Sequence, residues 1–203
     1  MWMTYGRTWT KHYLCNMLKR VFDILVSLIA GIIFLIPMMF VGLAVSLSSK
    51  GPILYWSRRL GRNHVVFSMP KFRTMRTDTP VLPTHLLPDA HSFLTPIGSF
   101  LRKSSLDELP QLWCILKGEM SFVGPRPSLE SQSDLNDART AAGVHWLMPG
   151  LTGWAQVNGR DELPTQQKVA LDAEYLQKKS FLFDVKIILL TLWKVVKGDG
   201  VKH

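Results

Sequence analysis

A chain of 203 residues carrying a formal charge of +9 has room for one compact domain with its own core, and it favours an anionic partner. Nucleic acid, an anionic membrane surface and a phosphorylated substrate all satisfy that charge. Cys15 and Cys114 make neither a disulfide framework nor a metal spacing, and the six histidines contain no HxxxH pair, so no zinc site is expected and a reducing compartment fits.

From Ile24 to Leu47 the chain reads ILVSLIAGIIFLIPMMFVGLAVSL without a charged residue. At about 1.5 Å per residue this is long enough to cross roughly 30 Å of hydrocarbon. It is too long for a signal-peptide core, and Lys50-Gly51-Pro52 follows it instead of a cleavage site. Pro37 lies mid-segment and cannot donate a backbone hydrogen bond to Ile33, which predicts a kink or break there. Both flanks are basic: Arg7, Lys11, Lys19 and Arg20 precede the segment, and Lys50, Arg58, Arg59 and Arg62 follow it. A spanning helix would send one basic cluster across the bilayer, against the positive-inside tendency, whereas a helix that turns back keeps both on one face. A Pro-kinked spanning anchor and a re-entrant helix both stand at this point.

The strings ILYWSRR and HVVFSMP flank Leu60-Gly61-Arg62-Asn63 and predict a β-hairpin. KFRTM (Lys71 to Met75) follows as a basic cluster among apolar residues, and Thr77 to Ala90 is proline-rich and reads as a loop. Thr95-Pro96 predicts a helix start, with the helix running to about Lys103. A second helix is expected near Ser105, where Ser105 and Glu108 have capping-box spacing, Pro110 falls in the first turn and Gly118 marks the stop. GPRP (Gly124 to Pro127) and PGLTGWAQVNGR (Pro149 to Arg160) are rich in turn formers and carry no amphipathic period. Residues Thr165 to Lys178 read as helix. Asp184 to Lys197 is an apolar helix, either core or lying in a membrane interface with Lys186, Lys194 and Lys197 snorkelling outward.

Asp107-Glu108 is the candidate reactive pair. Two carboxylates in a first helical turn have an ordinary explanation, since they complement the helix dipole. Here Arg102 and Lys103 stand one turn upstream, and Lys71, Arg73, Arg126 and Arg160 fall in segments where packing alone does not require them. An ionised carboxylate at such a place binds Mg²⁺ or attacks phosphorus. Gln156, Asn158 and Arg160 can read a uracil or a phosphate, although loop amides often satisfy only their own backbone. Gly150, Gly153 and Gly159 are too irregular for a phosphate loop or dinucleotide fingerprint.

Taken in order, KFRTM, SSLDELPQLWCILKGEMSFVGPRP and PGLTGWAQVNGR, behind a KRVFDI-led apolar segment, resemble the bacterial sugar transferase family of monotopic phosphoglycosyl transferases, over roughly Lys19 to Gly198. The resemblance implies a mostly helical α+β fold: residues 1–50 with a re-entrant membrane helix at 24–47 broken at Pro37, and a catalytic domain over 51–203 with a β-hairpin and interfacial amphipathic helices. It implies that a UDP-sugar donates sugar 1-phosphate to Asp107 with release of UMP, and that undecaprenyl phosphate then takes it from the aspartyl intermediate. Asp107 would also bind Mg²⁺, or Mn²⁺ in its place, with Glu108 as supporting acid/base and Arg102 steadying phosphate. An N-acetylated amino sugar is the first expectation and a hexose the second. The expected location is the cytoplasmic face of a bacterial inner membrane, with downstream glycosyltransferases as further partners.

Three positions depart from the family pattern: Ile36 stands where Ser is usual, Ser57 where Gln is common and Pro70 where an aromatic residue is common. The rival readings are a glycosyltransferase that releases UDP, a membrane-tethered nucleic-acid-binding module and an inactive scaffold. The second has no recognition motif in the sequence and leaves both the acidic pair and the apolar segment without a role.

Overall fold

The computed structural model describes residues 3–80, 89, 91–159 and 163–197, with side chains from residue 17 onward in the first helix. Helix α1 (Met3–Ser48) leads into an antiparallel hairpin of β1 (Leu54–Leu60) and β2 (Val66–Phe72). There follow α2 (Gly98–Ser104), a 3₁₀ turn over Leu106–Gln111, α3 (Leu112–Lys117), β3 (Ser121–Val123) and α4 (Ser133–Ala141). A 3₁₀ turn (Val144–Trp146), β4 (Gly150–Thr152), α5 (Trp154–Asn158), α6 (Thr165–Lys178) and α7 (Phe181–Lys197) complete the order. The fold is α+β and mostly helical.

Helix α1 continues through Pro37 where an interruption was expected. Proline's own φ is helical, and only one backbone hydrogen bond is lost, so a helix can bend there without ending. What changes near Pro37 is the packing. On one side of it Asp23, Ser27 and Ala30 pack onto the rest of the chain, and on the other side Met38, Val41 and Val45 do so; between them Ile32 to Ile36 are all exposed. Each arm is tied at its polar end. Lys19 donates to the Val123 carbonyl (2.9 Å) and to Asp184 (2.5 Å), and Arg20 donates to the carbonyls of Ile115 (2.5 Å) and Leu116 (2.7 Å) at the end of α3. Asp23 accepts the Phe122 N–H at 3.1 Å. At the far end Arg73 donates to Ser49 O (2.8 Å) and Pro52 O (2.6 Å).

The hairpin pairs from Leu54↔Phe72 to Leu60↔Val66. Its turn is longer than the sequence suggested, because Asn63 (φ 55°) and His64 (φ 61°) take the left-handed positions, and Gly61 N closes on Val65 O at 2.9 Å. Helix α2 begins at Gly98, later than Thr95-Pro96 predicts. The Thr95 hydroxyl bonds Thr74 O instead of capping α2, and Thr95 N–H bonds the same carbonyl at 3.0 Å.

β4 and α5 lie in the Pro149 to Arg160 segment, where only turns were expected. β3 and β4 form a parallel pair, Ser121↔Gly150 and Val123↔Thr152, with α5 directly after. The glycines there allow main chains to touch: a Cβ on Gly150 would sit 2.1 Å from Gly124 N, and one on Gly124 2.1 Å from Met148 O. Helix α4 was not anticipated from its polar sequence. The predicted loop at Thr77 to Ala90 falls largely outside the described residues.

Three apolar clusters hold these parts together. Phe67, Met69, Leu112, Cys114, Ile115 and Met120 join the hairpin to α3, with Ala30 of α1 against them. Val123, Val144, Leu147, Val157, Tyr175 and Ile187 join the β3–β4 pair to α6 and α7. Val41, Val45, Phe72 and Leu101 join the second arm of α1 to β2 and α2, with Leu106 and Leu109 packed on them. Fully burying one such aliphatic side chain stabilises the fold by about 1.5–3 kcal/mol.

Candidate active site

Ser105 ends α2 in the left-handed region (φ 57°), its N–H bonding Arg102 O at 3.2 Å, and turns the chain into the 3₁₀ segment. The predicted capping box is not made. Ser105 contributes only a backbone bond, from Glu108 N to Ser105 O (3.2 Å), while the Glu108 carboxylate points elsewhere. Pro110 is the fifth of the six residues of this turn, not in its first turn as the sequence suggested; its ring-fixed φ suits the turn, at the loss of one backbone N–H donor. Leu106 and Leu109 plug into the cluster around Val41 and Val45, which fixes Asp107 and Glu108 between them.

Glu108 is the hub of the charges. It accepts from Lys71 Nζ at 2.8 Å and from Arg126 at 3.2 Å, both partly buried contacts. Burial alone would favour protonating Glu108, but Lys71 and Arg126 outweigh it and hold the carboxyl well below the usual range. Asp107, 7% exposed, accepts no hydrogen bond among the described residues. Burial, reinforced by the Glu108 charge, pushes it up to about 6, against the opposing pull of Lys71, Arg102 and Arg126. Two adjacent carboxylates thus have divided properties, one pinned as an anion and one unengaged that titrates near neutrality.

Lys71, Arg126 and Arg102 are therefore brought to the pair. Arg102 donates to the Thr74 hydroxyl at 3.1 Å, a bond that orients it from the β2 side. Arg73 is not brought there: it is buried and its guanidinium bonds the carbonyls after α1. Asn158 bonds Trp154 O within α5 (2.7 Å). Gln156 is buried beside Gly153, with neither amide atom paired in the described structure. Arg160 lies outside the described residues.

Sequence reasoning missed a supporting pair. Arg139 makes two bonds to Asp172 (3.0 and 2.7 Å) and a third to the Arg126 carbonyl (2.8 Å), so α4 and α6 together hold the GPRP turn that presents Arg126. Nothing in the spacing of Arg139 and Asp172 announces that contact.

No group of three or more His, Cys, Asp or Glu side chains gathers among the described residues. Mg²⁺ does not require one, because one or two carboxylates suffice when substrate phosphates complete its shell. The donor set fits that pattern, since Glu108 is committed to two cations and Asp107 offers a hard, unengaged oxygen pair.

A profile of the bacterial sugar transferases matches residues 14–198. The chain belongs to this family. As a bacterial sugar transferase it is an enzyme of sugar-phosphate transfer. It is similar to the sugar transferase EpsL of Bacillus subtilis, 39% identical over 186 residues that cover 92% of this chain and 91% of EpsL. It is 38% identical to the exopolysaccharide production protein ExoY of Rhizobium meliloti, covering 91% and 88% of the two chains. The UDP-glucose:undecaprenyl-phosphate glucose-1-phosphate transferase of Escherichia coli is 36% identical over 188 residues, which make up 88% of this chain but 40% of that longer protein. The sugar transferase departures at Ser57 and Pro70 fall inside the hairpin. Ser57 is buried and accepts from Arg59 Nε at 2.9 Å, and Pro70 is fully buried opposite Trp56.

Proposed function

We propose that this enzyme transfers a sugar 1-phosphate from a UDP-sugar to undecaprenyl phosphate, releasing UMP, by way of a covalent intermediate on Asp107. The observation that carries the reading is the division within the pair: Asp107 is buried, unengaged and ionises near 6, beside a Glu108 already bound to Lys71 and Arg126. An Asp107 oxygen attacks the sugar-bearing phosphorus, the bridging P–O bond breaks, and UMP leaves with the electron pair. An oxygen of undecaprenyl phosphate then attacks the same phosphorus, breaks its bond to Asp107 and restores the carboxylate. Lys71, Arg102 and Arg126 supply positive charge against the phosphate oxygens as charge develops. Mg²⁺, held by Asp107 together with substrate phosphates, would add Lewis-acid charge neutralisation. Glu108, fixed by two cations, is a weak base in this state, and its main work is to position Lys71 and Arg126.

For the sugar we favour a hexose over the N-acetylated amino sugar expected first, because the relatives whose names specify a sugar act on glucose or galactose. Two of these names also support undecaprenyl phosphate as acceptor, and the name of ExoY supports exopolysaccharide production as setting.

For the membrane we propose a re-entrant α1, with the domain at the cytoplasmic face. Residues 17–48 are long and apolar enough to cross a bilayer. Yet both arms pack on one domain while the segment around Ile32 to Ile36 stands clear of it, a pattern that supports an apex dipping into lipid. The exposed stripe Leu182, Leu189, Leu192 and Trp193 on α7 supports interfacial seating beside it.

The test incubates the enzyme with UDP-glucose, or UDP-N-acetylglucosamine, without acceptor. The expected result is UMP release, with protein mass rising by one hexose phosphate on the peptide bearing Asp107. Absence of any protein adduct, with UDP in place of UMP released once undecaprenyl phosphate is added, would establish the rival glycosyltransferase reaction.

A further inference from the structure

The backbone at Thr74 is fastened from three sides. Arg73, directly before it, is buried and donates to Ser49 O (2.8 Å) and Pro52 O (2.6 Å), just past the end of α1. The Arg73 N–H bonds Ile53 O at 2.9 Å. The Thr74 carbonyl accepts twice from Thr95, from its N–H at 3.0 Å and from its hydroxyl at 3.3 Å. Gly98, the first residue of α2, lies so close to the same carbonyl that a Cβ there would come within 2.2 Å of its oxygen. Only glycine permits that approach, so α2 starts at a set distance from Thr74.

With its main chain so held, Thr74 presents a buried hydroxyl on a branched β-carbon that restricts its rotamers. That hydroxyl accepts the Arg102 Nε–H at 3.1 Å, from one turn along α2. A guanidinium is a rigid planar fork, so a bond at Nε sets both its plane and the heading of its outer edge. The outer edge is the part that grips phosphate oxygens two at a time. Arg102 is also one of the three cations whose charge bears on Asp107. A bond that served only to satisfy a part-buried donor would contribute to stability and leave the reaction rate alone. We infer that Thr74 is a positioning residue: its hydroxyl aims Arg102 at the transferred phosphate, while Arg73 fixes Thr74 to the end of α1. The inference rests on the reading above in which Arg102 opposes the phosphate oxygens. It also gives Arg73 a task, which is to set Thr74 relative to the second arm of α1 and not to bind phosphate itself.

The test follows UMP release with undecaprenyl phosphate and Mg²⁺, from UDP-glucose or UDP-N-acetylglucosamine, whichever the wild-type chain turns over. Thr74→Val exchanges the hydroxyl for a methyl of similar size and leaves the carbonyl bonds intact, whereas Thr74→Ser keeps the hydroxyl. Thr74→Val should lower kcat about tenfold and change KM by less than about twofold, because the aimed guanidinium acts on charge that develops in the transition state. Thr74→Ser should recover activity to within about threefold of wild type. Arg102→Lys keeps the cation without the Nε donor, so adding Thr74→Val to it should lower kcat no further. Wild-type kcat in Thr74→Val would overturn the inference. So would an equal loss in Thr74→Ser, a rise in KM with kcat unchanged, or a full second loss on the Arg102→Lys background. Thr74→Ala, which sets no methyl against the guanidinium, replaces the Val variant if thermal unfolding shows that chain to be misfolded. Full activity of Arg102→Met would sink the reading of Arg102 itself. An impaired Arg102→Met beside an unimpaired Thr74→Val would sink the role of Thr74 alone.

Discussion

Replacing Asp107 by Asn should remove activity and at the same time stabilise the fold. Asn approximates the protonated acid, so it keeps the hydrogen-bonding shape and removes only the anion. Asp107 ionises at about 6 in the folded chain against 3.8 for the free side chain. A carboxyl raised in this way binds its proton more tightly folded than unfolded. Ionisation therefore drains stability as pH climbs from 3.8 to 6, and the loss levels off above that. Two pKa units at about 1.4 kcal/mol each put the cost at roughly 3 kcal/mol above pH 7, and at about 1 kcal/mol near pH 4.5. For a chain of this size that corresponds to a Tm gain of roughly 6–12 °C for Asp107→Asn at pH 8. The gain should shrink by more than half at pH 4.5. Thermal unfolding followed by intrinsic fluorescence measures this, and UMP release measures activity, which should drop by several orders of magnitude. A variant retaining more than a tenth of wild-type turnover, or a Tm difference that does not grow with pH, would refute the reasoning.

The acid limb of kcat/KM should have its midpoint near 6, with activity rising as Asp107 ionises; Lys71→Met, by removing a neighbouring cation, should move that limb up by about one unit or more. A pH profile from 5 to 9 decides this, and an unmoved limb would detach Lys71 from the pair. Activity should require Mg²⁺ or Mn²⁺ and return on adding either back after EDTA treatment; full turnover in EDTA would remove the metal from the scheme. Arg139→Leu should destabilise the chain by about 3–5 kcal/mol because Asp172 is left buried without its partner. Arg139→Met with Asp172→Leu should recover most of that in thermal unfolding. Single cysteines at Thr4 and Asn63, with Cys15 removed, should both resist a periplasmic reagent in intact cells. Pro37→Ala should expose position 4 in a fraction of molecules by favouring a straight helix, and labelling of position 4 in the wild-type chain would establish a spanning anchor instead.

What could be read from residues alone was whatever rests on local pattern. The apolar run, the alternating hairpin strands, α6 and α7 each carry a period that fixes their type. The acidic pair stood out by its basic surroundings, Arg102 and Lys103 one turn upstream and Lys71, Arg73, Arg126 and Arg160 in segments where packing does not require them, of which Lys71, Arg102 and Arg126 come to the pair. Contacts made at long range stayed hidden. Arg73 resembles its neighbour Lys71 in sequence, and alternation alone would set both on one face; yet β2 ends at Phe72, so Lys71 faces the carboxylates while Arg73, past the strand, bonds carbonyls after α1. The β3–β4 pair has three residues a strand, too short for any period, and depends on glycines whose use is visible only when two main chains meet. The Ser105 and Glu108 spacing matched a capping box, but two cations offered the Glu108 carboxylate stronger bonds than one backbone N–H could.

The same contacts bear on why the anchor and the acidic pair belong together. Leu106 and Leu109, on either side of Asp107-Glu108, pack on Val41 and Val45 of the second arm of α1. Leu112, Cys114 and Ile115, directly downstream, pack against Ala30 of the first arm. The segment carrying the pair is thus clasped by both arms, so the carboxylates are held relative to α1 and not merely tethered to it. A lipid-borne acceptor phosphate is confined to a narrow layer at the bilayer surface. An attacking or leaving oxygen misplaced by about 1 Å can cost two orders of magnitude in rate. A flexible tether could not hold that depth, whereas two packed arms set it in the fold itself.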